Sequence, residues 1–203
     1  KVVAVERDER CLAALGELVA AAEGRLALHA GDALETDLAA LTTPPWQIVA
    51  NLPYNIATPL LLGWLGQADK FTRITVLVQK EVAERLAAPP GGKNYGRLAV
   101  AAQWRCRVRL LFDIGPKAFV PPPKVTSTLV EPEPRDRPLA EADPAKLERV
   151  TAAAFNQRRK MLRTALKSIW PNADAKLTEA GIDPTRRAET LTIEEFCALA
   201  QQL

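Results

Sequence analysis

The sequence predicts an α/β protein in which a doubly wound parallel sheet is followed by a small all-helical domain. Short apolar runs alternate with longer helical stretches through the first half of the 203 residues, which is the rhythm of βαβ units. Four prolines interleaved with charges follow between Glu131 and Pro144, a composition typical of a linker. Beyond them the apolar residues recur with a helical period. We therefore expect an α/β domain over residues 1–134, a linker over 135–144 and a helical domain over 145–203.

The α/β domain is predicted to alternate strands with helices. Strands are expected at short apolar runs bounded by polar residues, namely Val2–Val5, Leu26–His29, Ile48–Ala50 and Ile74–Val78. Helices are expected at the longer stretches between and after them, namely Glu9–Ala22, Pro59–Gln67, Glu81–Ala87 and Leu98–Ala102. Two β-rich segments, which we expect to form an antiparallel end of the sheet, close the domain at Val108–Phe112 and Val125–Val130.

The C-terminal domain is predicted to contain four helices, Leu147–Phe155, Arg159–Ile169, Ala173–Ala180 and Ile193–Leu203. Gly181 follows the third helix, at the position where glycine adopts the left-handed conformation that ends a helix. Thr192 precedes the last helix, where its hydroxyl can cap the first turn.

Composition excludes several classes of function. No apolar run approaches the ~18 residues of a membrane-spanning helix, and no basic-then-apolar leader opens the sequence. The three cysteines form no C-x-x-C pair, and His29 is the only histidine. Histidine-based triads and histidine-rich metal sites are therefore excluded. We expect a cytoplasmic protein with reduced thiols and no metal.

The net charge of +3 is modest, but the basic residues are clustered. Arg97 to Lys124 contains six basic residues against a single acid, and Asn156 to Trp170 contains five basic residues and no acid. Clusters of this kind indicate a polyanionic partner. The alternative is a solvated helix face, which would normally carry acidic partners four residues away, and these clusters lack them.

The segment Asn51-Leu52-Pro53-Tyr54 directly follows an apolar run typical of a buried strand. Pro53 restricts its own φ and the backbone of Leu52, and ligands bind at the carboxyl ends of strands in open α/β sheets. An amide, a backbone carbonyl and an aromatic ring suit a planar base with an exocyclic amine, because oxygens can accept its N–H groups while the ring stacks on its face. The alternative is a strand-to-helix turn in which Tyr54 only packs.

Two earlier strand ends carry acidic residues. Glu6 follows the first predicted strand, where an acid in nucleotide-binding α/β folds accepts hydrogen bonds from ribose hydroxyls. Asp32 follows the second strand, directly after Gly31. Its carboxylate can accept a hydrogen bond from the amino group of an adenine. Each acid alone is ordinary turn chemistry. Together with Asn51 they predict a nucleoside pocket beside a base pocket.

These motifs resemble, in order and spacing, those of the ribosomal RNA adenine dimethylases, and the resemblance spans nearly the whole chain. The matching segments are Val5-Glu6 with Asp8, Gly31-Asp32-Ala33-Leu34, Asn51-Leu52-Pro53-Tyr54-Asn55-Ile56, Gln79 to Arg85, Tyr95-Gly96-Arg97-Leu98, Phe119 to Val125, and Phe155 with Arg158-Arg159-Lys160. The chain looks most like the bacterial members that dimethylate two adjacent adenines in small-subunit (16S) rRNA. The antibiotic-resistance dimethylases of large-subunit rRNA are the nearest alternative.

The resemblance implies a Rossmann-like, S-adenosylmethionine-dependent methyltransferase that acts on N6 of adenine. Glu6 would hold the cofactor ribose and Asp32 the cofactor adenine, with Ala33 and Asn51 also lining the cofactor site. Within Asn51-Leu52-Pro53-Tyr54, the Asn51 amide and the Leu52 carbonyl would accept the target amine, and Tyr54 would stack on the base. Phe119 would cover the other face of the base; the alternative for Phe119 is a plug in the core.

The resemblance also implies a partner, the small ribosomal subunit with its 16S rRNA. Nothing in the sequence demands a dimer, so we expect a monomer with no obligate protein partner. The basic residues expected to contact the rRNA are Arg97, Lys124, Arg158, Arg159, Lys160, Arg163 and Lys167. Among these, Arg159 and Arg163 are expected on one face of a helix. Two other functions stay open: a non-catalytic rRNA-binding assembly factor, and a DNA adenine methylase, which would need a target-recognition domain.

One motif of the family does not occur in these residues. The glycine-rich loop that would hold the methionine part of the cofactor should lie just upstream of Lys1, and the only methionine of the sequence is Met161. We therefore expect the sequence to begin inside a longer protein and to carry only part of the cofactor site.

A polypeptide of these 203 residues is predicted to bind S-adenosylmethionine poorly or not at all. Isothermal titration measures this directly, and a polypeptide extended upstream through the glycine-rich loop is the control, which should bind. Micromolar affinity of the shorter polypeptide would contradict the prediction.

Overall fold

The structure, a computed structural model, describes residues 1–203. It divides into two compact units, Lys1–Trp46 and Gln47–Leu203. The predicted alternation of strands and helices is confirmed in both units.

The first unit is built on two parallel strands, β1 (Val2–Glu6) and β2 (Leu26–Ala30). Helix α1 (Glu9–Ala21) connects them, and the Asp8 carboxylate caps it by accepting the backbone N–H of Arg10 at 2.9 Å. A one-turn helix, α2 (Leu38–Leu41), follows the second strand. The sequence did not predict α2, because four residues are too few to show a helical period.

Apart from Trp46, the first residue of β3, the second unit contains a four-stranded sheet in the order β3-β4-β6-β5. The strands are β3 (Trp46–Asn51), β4 (Phe71–Gln79), β5 (Cys106–Ile114) and β6 (Ser127–Pro134). Strand β6 runs antiparallel to both of its neighbours, β4 and β5. The predicted antiparallel end of the sheet is therefore confirmed.

Three helices accompany this sheet, α3 (Ala57–Leu65), α4 (Lys80–Leu86) and α5 (Arg97–Arg105). Four more follow it, α6 (Pro144–Asn156), α7 (Leu162–Ala165), α8 (Ala173–Glu179) and α9 (Ile193–Ala200). The predicted helical C-terminal region is thus confirmed, and so are its two caps. Gly181 has φ +71°, and Thr192 forms a reciprocal capping box with Glu195.

The predicted helix over Arg159–Ile169 is wrong at its beginning. The chain turns after Asn156, and α7 begins only at Leu162. The amide N–H of Leu162 donates to the carbonyl of Arg186 at 2.8 Å, so a segment distant in sequence fixes this helix start. Leu162 is fully buried, whereas Met161 before it is exposed and residues 157–160 are polar, so this stretch has no buried apolar side chain to hold it against the core. Arg159 and Arg163 consequently do not share a helix face.

A single apolar cluster joins α5 to the C-terminal helices. Trp104 of α5 and Tyr95 before it belong to the same buried group as Val150 and Phe196. Phe155 links them, because its ring lies edge-on to Tyr95 at 5.9 Å and tilted against Phe196 at 5.5 Å. These helices therefore bury their apolar faces together.

The proline-rich segment between β6 and α6 is hydrogen-bonded to this core. The N–H of Leu139 donates to the carbonyl of Trp104 at 3.0 Å, and the indole N–H of Trp104 donates to the carbonyl of Ala140 at 2.8 Å. The expected boundary between two domains over 135–144 stays a prediction. No helix in the structure is long and apolar enough to cross a membrane.

The three cysteines are free thiols in different surroundings: Cys11 is exposed, whereas Cys106 and Cys197 are buried. Burial raises the pKa of Cys106 to about 12 and that of Cys197 to about 11. The reactive thiolate is therefore scarce at both buried positions near neutral pH.

We predict that a thiol reagent at pH 8 labels one cysteine rapidly in the native protein. After denaturation in urea all three should react, because the buried thiols then regain ordinary pKa values. A Cys11→Ser variant is the matched control and should show no rapid phase. Rapid native labelling of two or more thiols would contradict the structure.

Candidate functional site

Glu6 and Asp32 lie at the same edge of the small parallel sheet. Glu6 is the last residue of β1 and stands opposite Ala30, the last residue of β2. The N–H of Gly31 donates to the backbone carbonyl of Glu6 at 3.0 Å, which brings the turn after β2 against the end of β1. The structure therefore brings these two predicted cofactor-binding acids together, at the carboxyl ends of the strands.

The Glu6 carboxylate has one oxygen engaged and one available. Its Oε1 accepts the backbone N–H groups of Arg7 at 2.7 Å and Asp8 at 2.8 Å, which orients the side chain. Its Oε2 accepts no hydrogen bond within the protein. An oriented carboxylate with one available oxygen can accept a hydroxyl group of a sugar.

The Asp32 carboxylate is more fully engaged. Its Oδ1 accepts a hydrogen bond from the backbone N–H of Leu34 at 2.9 Å, and its Oδ2 accepts one from the guanidinium of Arg7 at 2.8 Å. Both contacts favour the charged form, so the hydrogen bond from Leu34 and then the one from Arg7 lower the pKa of Asp32. A ligand amine at Asp32 would share Oδ2 with the exposed Arg7, a partner that the sequence did not predict. Ala33 follows in the same turn and is half-buried.

The Asn51-Leu52-Pro53-Tyr54 turn offers two acceptors that no protein group occupies. Leu52 is buried at 5% exposure, and its N–H donates to the carbonyl of Leu77 at 3.1 Å, so the turn is fixed to β4. Pro53 accepts the N–H of Ile56 at 3.1 Å before α3 begins. The Asn51 side chain is exposed, and neither its amide oxygen nor the Leu52 carbonyl is an acceptor in any of the turn, loop and side-chain hydrogen bonds. A ligand with two N–H groups could be bound by both.

The second unit carries both aromatic residues that are predicted to contact the base, Tyr54 in this turn and Phe119 in a later loop. The Tyr54 hydroxyl lies 2.8 Å from the hydroxyl oxygen of Ser127, the first residue of β6. Phe119 follows a short 3₁₀ turn in the loop between β5 and β6, and its N–H donates to the carbonyl of Pro116 at 3.2 Å. Both rings are half-buried. Tyr54 is therefore held through its hydroxyl and Phe119 through its backbone, both residues are partly accessible, and the predicted roles of both stay predictions.

The structure separates the basic residues into engaged and unengaged groups. Within the first cluster, Arg97 pairs with Glu148 at 3.4 Å, Arg105 lies over the Trp104 ring at 4.6 Å, and Arg109 pairs with the buried Glu131. These three arginines already have partners within the protein, so the first cluster is less available to a polyanion than its composition indicates. The predicted contacts that are exposed and form no ion pair are Lys124, Arg159, Lys160, Arg163 and Lys167.

Arg158 has a structural role that the sequence did not reveal. Its guanidinium donates to the backbone carbonyl of Lys93 at 2.9 Å and lies 3.4 Å from that of Gly92. The side chain is 39% exposed. Arg158 thus ties the loop before α5 to the C-terminal helices, and its predicted contact with RNA stays a prediction.

The structure contains no group of three or more His, Cys, Asp or Glu side chains arranged to hold a metal ion. The hydrogen-bonded groups that sequence reasoning missed are Ser127, Arg7 and the trio Lys80, Asp113 and Thr128. They share one property, which is that each bonds a residue remote in sequence or in another element. No local pattern could have identified them.

The fold resembles those of two solved structures of enzymes. One is a dimethyladenosine transferase from Plasmodium falciparum, with a TM-score of 0.80, 23% identity, and coverage of 100% of this chain and 81% of that one. The other is a 23S rRNA methyltransferase, with a TM-score of 0.68, 23% identity, and coverage of 100% and 82%. The predicted class, a Rossmann-like methyltransferase fold with a helical C-terminal region, is therefore confirmed.

The sequence defines the family within that class. A family model described as ribosomal RNA adenine dimethylase matches residues 1–203. Two relatives described as ribosomal RNA small subunit methyltransferase A are each 56% identical. The one from Rhodospirillum rubrum aligns over 99% of this chain and 69% of its own length, and the one from Paramagnetospirillum magneticum over 100% and 72%. The chain belongs to the ribosomal RNA adenine dimethylase family.

Replacing Arg158 and replacing Lys160 should have different consequences. Arg158→Ala removes two contacts with backbone carbonyls and should lower the free energy of unfolding by about 1–2 kcal/mol, since each net hydrogen bond contributes about 1 kcal/mol. Lys160→Ala should leave stability unchanged. If Lys160 meets a phosphate, its loss should weaken binding to RNA and reduce the slope of log affinity against log salt by about one.

Chemical denaturation and filter binding over a salt series measure these two effects. Lys176→Ala is the matched control for Lys160→Ala, because Lys176 pairs with Glu179 at 3.2 Å and lies outside the predicted contacts. Equal stability losses for Arg158→Ala and Lys160→Ala would contradict the distinction between the two residues.

Proposed function

We propose that this protein transfers methyl groups from S-adenosylmethionine to N6 of two adjacent adenines in 16S rRNA, dimethylating each during biogenesis of the small ribosomal subunit. Membership of the ribosomal RNA adenine dimethylase family and the small-subunit description of relatives at 56% identity support the substrate. The single observation that carries the chemistry is the pair of unoccupied acceptors at Asn51 and Leu52, on a turn that also bears Tyr54.

The acceptor side of the reaction follows from these groups. An exocyclic amine that donates one N–H to the Asn51 amide oxygen and the other to the Leu52 carbonyl is held in a defined orientation. Both hydrogen bonds draw the nitrogen lone pair out of conjugation with the ring, which makes the nitrogen more nucleophilic. Positioning and fixed dipoles therefore supply the catalysis. Each transfer would form an N6–methyl bond, break the sulfonium–methyl bond, leave S-adenosylhomocysteine and release one proton from the methylated nitrogen to water, so no strong base is required. In the second transfer the one remaining N–H would donate to one of the two acceptors.

Binding of the target base requires its removal from the RNA stack. A stacked or paired adenine hides its amine, and extruding it costs a few kcal/mol. Stacking on Tyr54 and coverage by Phe119 would offset that cost, because aromatic side chains stabilise an unstacked base by about 1–3 kcal/mol each.

Binding of the methyl donor, S-adenosylmethionine, is proposed to involve residues of the first unit. S-adenosylmethionine, when bound, supplies an already activated sulfonium methyl group. The available Oε2 of Glu6 fits a ribose hydroxyl, and the ionised Asp32 with Ala33 fits the edge of an adenine that bears an amine. The chain thus has residues suited to the nucleoside part of the cofactor, and Asn51 is proposed to contribute as well.

The exposed cations of the second unit fit the proposed partner, the small ribosomal subunit. Phosphate contacts by Lys124, Arg159, Lys160, Arg163 and Lys167 would set affinity and register, because such contacts carry no sequence information. We propose a monomer that acts in the cytoplasm, where ribosomal subunits are assembled.

The test uses full-length protein, S-adenosylmethionine labelled in its methyl group, and unmethylated small subunits. Two dimethylated adenines should appear per subunit. Asn51→Ala should lower the rate at least a hundredfold, because the loss of one preorganised hydrogen-bonding group typically costs ~10²–10³ in kcat. Gln47→Ala, an exposed amide on the same strand β3, is the matched control and should retain the wild-type rate.

Each other outcome has a definite meaning. No label with wild-type protein that still binds the subunit would support the assembly-factor alternative. With unmethylated large subunits assayed in parallel, transfer to large-subunit rRNA alone would support the antibiotic-resistance type. An Asn51→Ala variant that dimethylates at the wild-type rate would overturn the proposed mechanism.

A further inference from the structure

The loop over residues 115–126 connects β5 to β6 and carries Phe119 and Lys124. Its two ends are held together, because Ile114 and Ser127 stand opposite each other in the antiparallel pairing of these strands. The loop therefore departs from the sheet at a fixed point. Any side chain that binds Ser127 is fixed to the base of this loop.

A second set of contacts reinforces that point. The Lys80 N–H donates to the carbonyl of Thr126 at 3.0 Å, and its ammonium pairs with Asp113 at 2.6 Å. The Thr128 hydroxyl donates to the same carboxylate at 2.7 Å. Residues on both sides of the loop base are thus attached to the start of α4.

Ser127 also contacts the turn at the end of β3. Its hydroxyl oxygen lies 2.8 Å from that of Tyr54, and 73 residues separate the two in sequence. Ser127 is 1% exposed and stands between neighbours on both sides, opposite Gln79 in β4 and Ile114 in β5. The Tyr54 hydroxyl is therefore bonded to an oxygen that is itself held rigidly.

The contact between Tyr54 and Ser127 gives a reason for a tyrosine at position 54 that base stacking alone does not give. A phenylalanine would stack on a base as well as a tyrosine, because stacking uses the face of the ring. The hydroxyl of Tyr54 adds one interaction, the hydrogen bond to Ser127. Anchoring the ring at its para position restricts both side-chain torsions, so the ring is held in one orientation before the base arrives.

We propose that Ser127 is a positioning residue for methyl transfer. It orients the Tyr54 ring and sets the ring's place relative to the loop that carries Phe119. The proposal rests on the proposed function, because it assigns Ser127 a role through the base-stacking task of Tyr54. Ser127 does not touch the base itself; it acts by keeping the stacking surface preorganised for the target adenine.

The competing explanation is purely structural. Most buried hydroxyl groups in proteins are hydrogen-bonded, and Tyr54 could satisfy Ser127 without any consequence for the reaction. The two explanations differ in what happens to the rate when the hydrogen bond is removed from either side.

The test is a double-mutant cycle of Tyr54→Phe, Ser127→Ala and the double variant in full-length protein, assayed for labelled methyl transfer to unmethylated small subunits. Each single change removes the same hydrogen bond and should lower kcat about three- to tenfold, the value of one hydrogen bond of ordinary strength. KM for the subunit should not change, because phosphate contacts set that affinity. The double variant should be no slower than the slower single variant.

Thr151→Ala is the matched structural control. Thr151 is a buried hydroxyl at 4% exposure that bonds the carbonyls of Leu147 and Glu148 within α6, away from the turn. It should lower stability while leaving kcat at the wild-type value. Thermal unfolding of every variant shows that the assays compare folded proteins. If Ser127→Ala does not fold, Tyr54→Phe removes the hydrogen bond at a half-buried position and decides the test alone.

Two results would overturn the proposal: a wild-type kcat in Tyr54→Phe, or single-variant losses that multiply in the double variant. Failure of the proposed function is a different result, because then the wild-type protein would not methylate the subunit at all. In an active wild-type enzyme, a loss of rate shared by both singles and not increased in the double supports the positioning role.

Discussion

The second unit depends on the position of β6, which is hydrogen-bonded on both edges, to β4 and to β5. At its first residue, Ser127, the Tyr54 turn and the loop carrying Phe119 meet. Beyond its last residue, Pro134, the chain stays bonded to the end of α5, where the N–H of Arg135 donates to the carbonyl of Arg105 at 2.8 Å. One strand thus holds the candidate base site at one end and leads into the helical core at the other.

Strand β6 carries a buried carboxylate, that of Glu131, which needs cationic partners. Glu131 is 6% exposed, and an unpaired carboxylate at such a position would be strongly destabilised. Arg109 pairs with it, and Arg73 approaches it at 3.6 Å. The arginines that neutralise this carboxylate are less available to bind a polyanion. The availability of a cation therefore depends on its acidic neighbours across the sheet and not on its density in the sequence.

Much of the fold could be predicted because the signals are local. The strands before Glu6, Asp32 and Asn51 are apolar runs ended by polar residues, and their strand assignment is confirmed. The caps at Gly181 and Thr192 were predictable because a cap depends on the residue type and its immediate neighbours. The chemistry of the Asn51-Leu52-Pro53-Tyr54 turn was readable for the same reason, since its acceptors and its ring are adjacent in the chain.

The start of α7 was not predictable in this way. The polar run from Gln157 to Lys160 has good helix formers, yet the helix begins at Leu162, whose N–H donates to a distant carbonyl, that of Arg186. Local preference contributes a few tenths of a kcal/mol per residue, whereas burial of a leucine contributes about 1.5–3 kcal/mol. The tertiary term therefore decides where this helix begins.

The sequence by itself determined the order of strands and helices, the family resemblance and the residue types offered at each strand end. Only the tertiary structure decided which of those groups remain available. In that structure the Tyr54 hydroxyl is hydrogen-bonded to Ser127. The Asp32 carboxylate accepts hydrogen bonds from Leu34 and Arg7. The Arg158 guanidinium donates to the carbonyls of Lys93 and Gly92. The physical reason is that a hydrogen bond depends on the distance between two atoms, and for residues far apart in the chain that distance is set by strand register and packing.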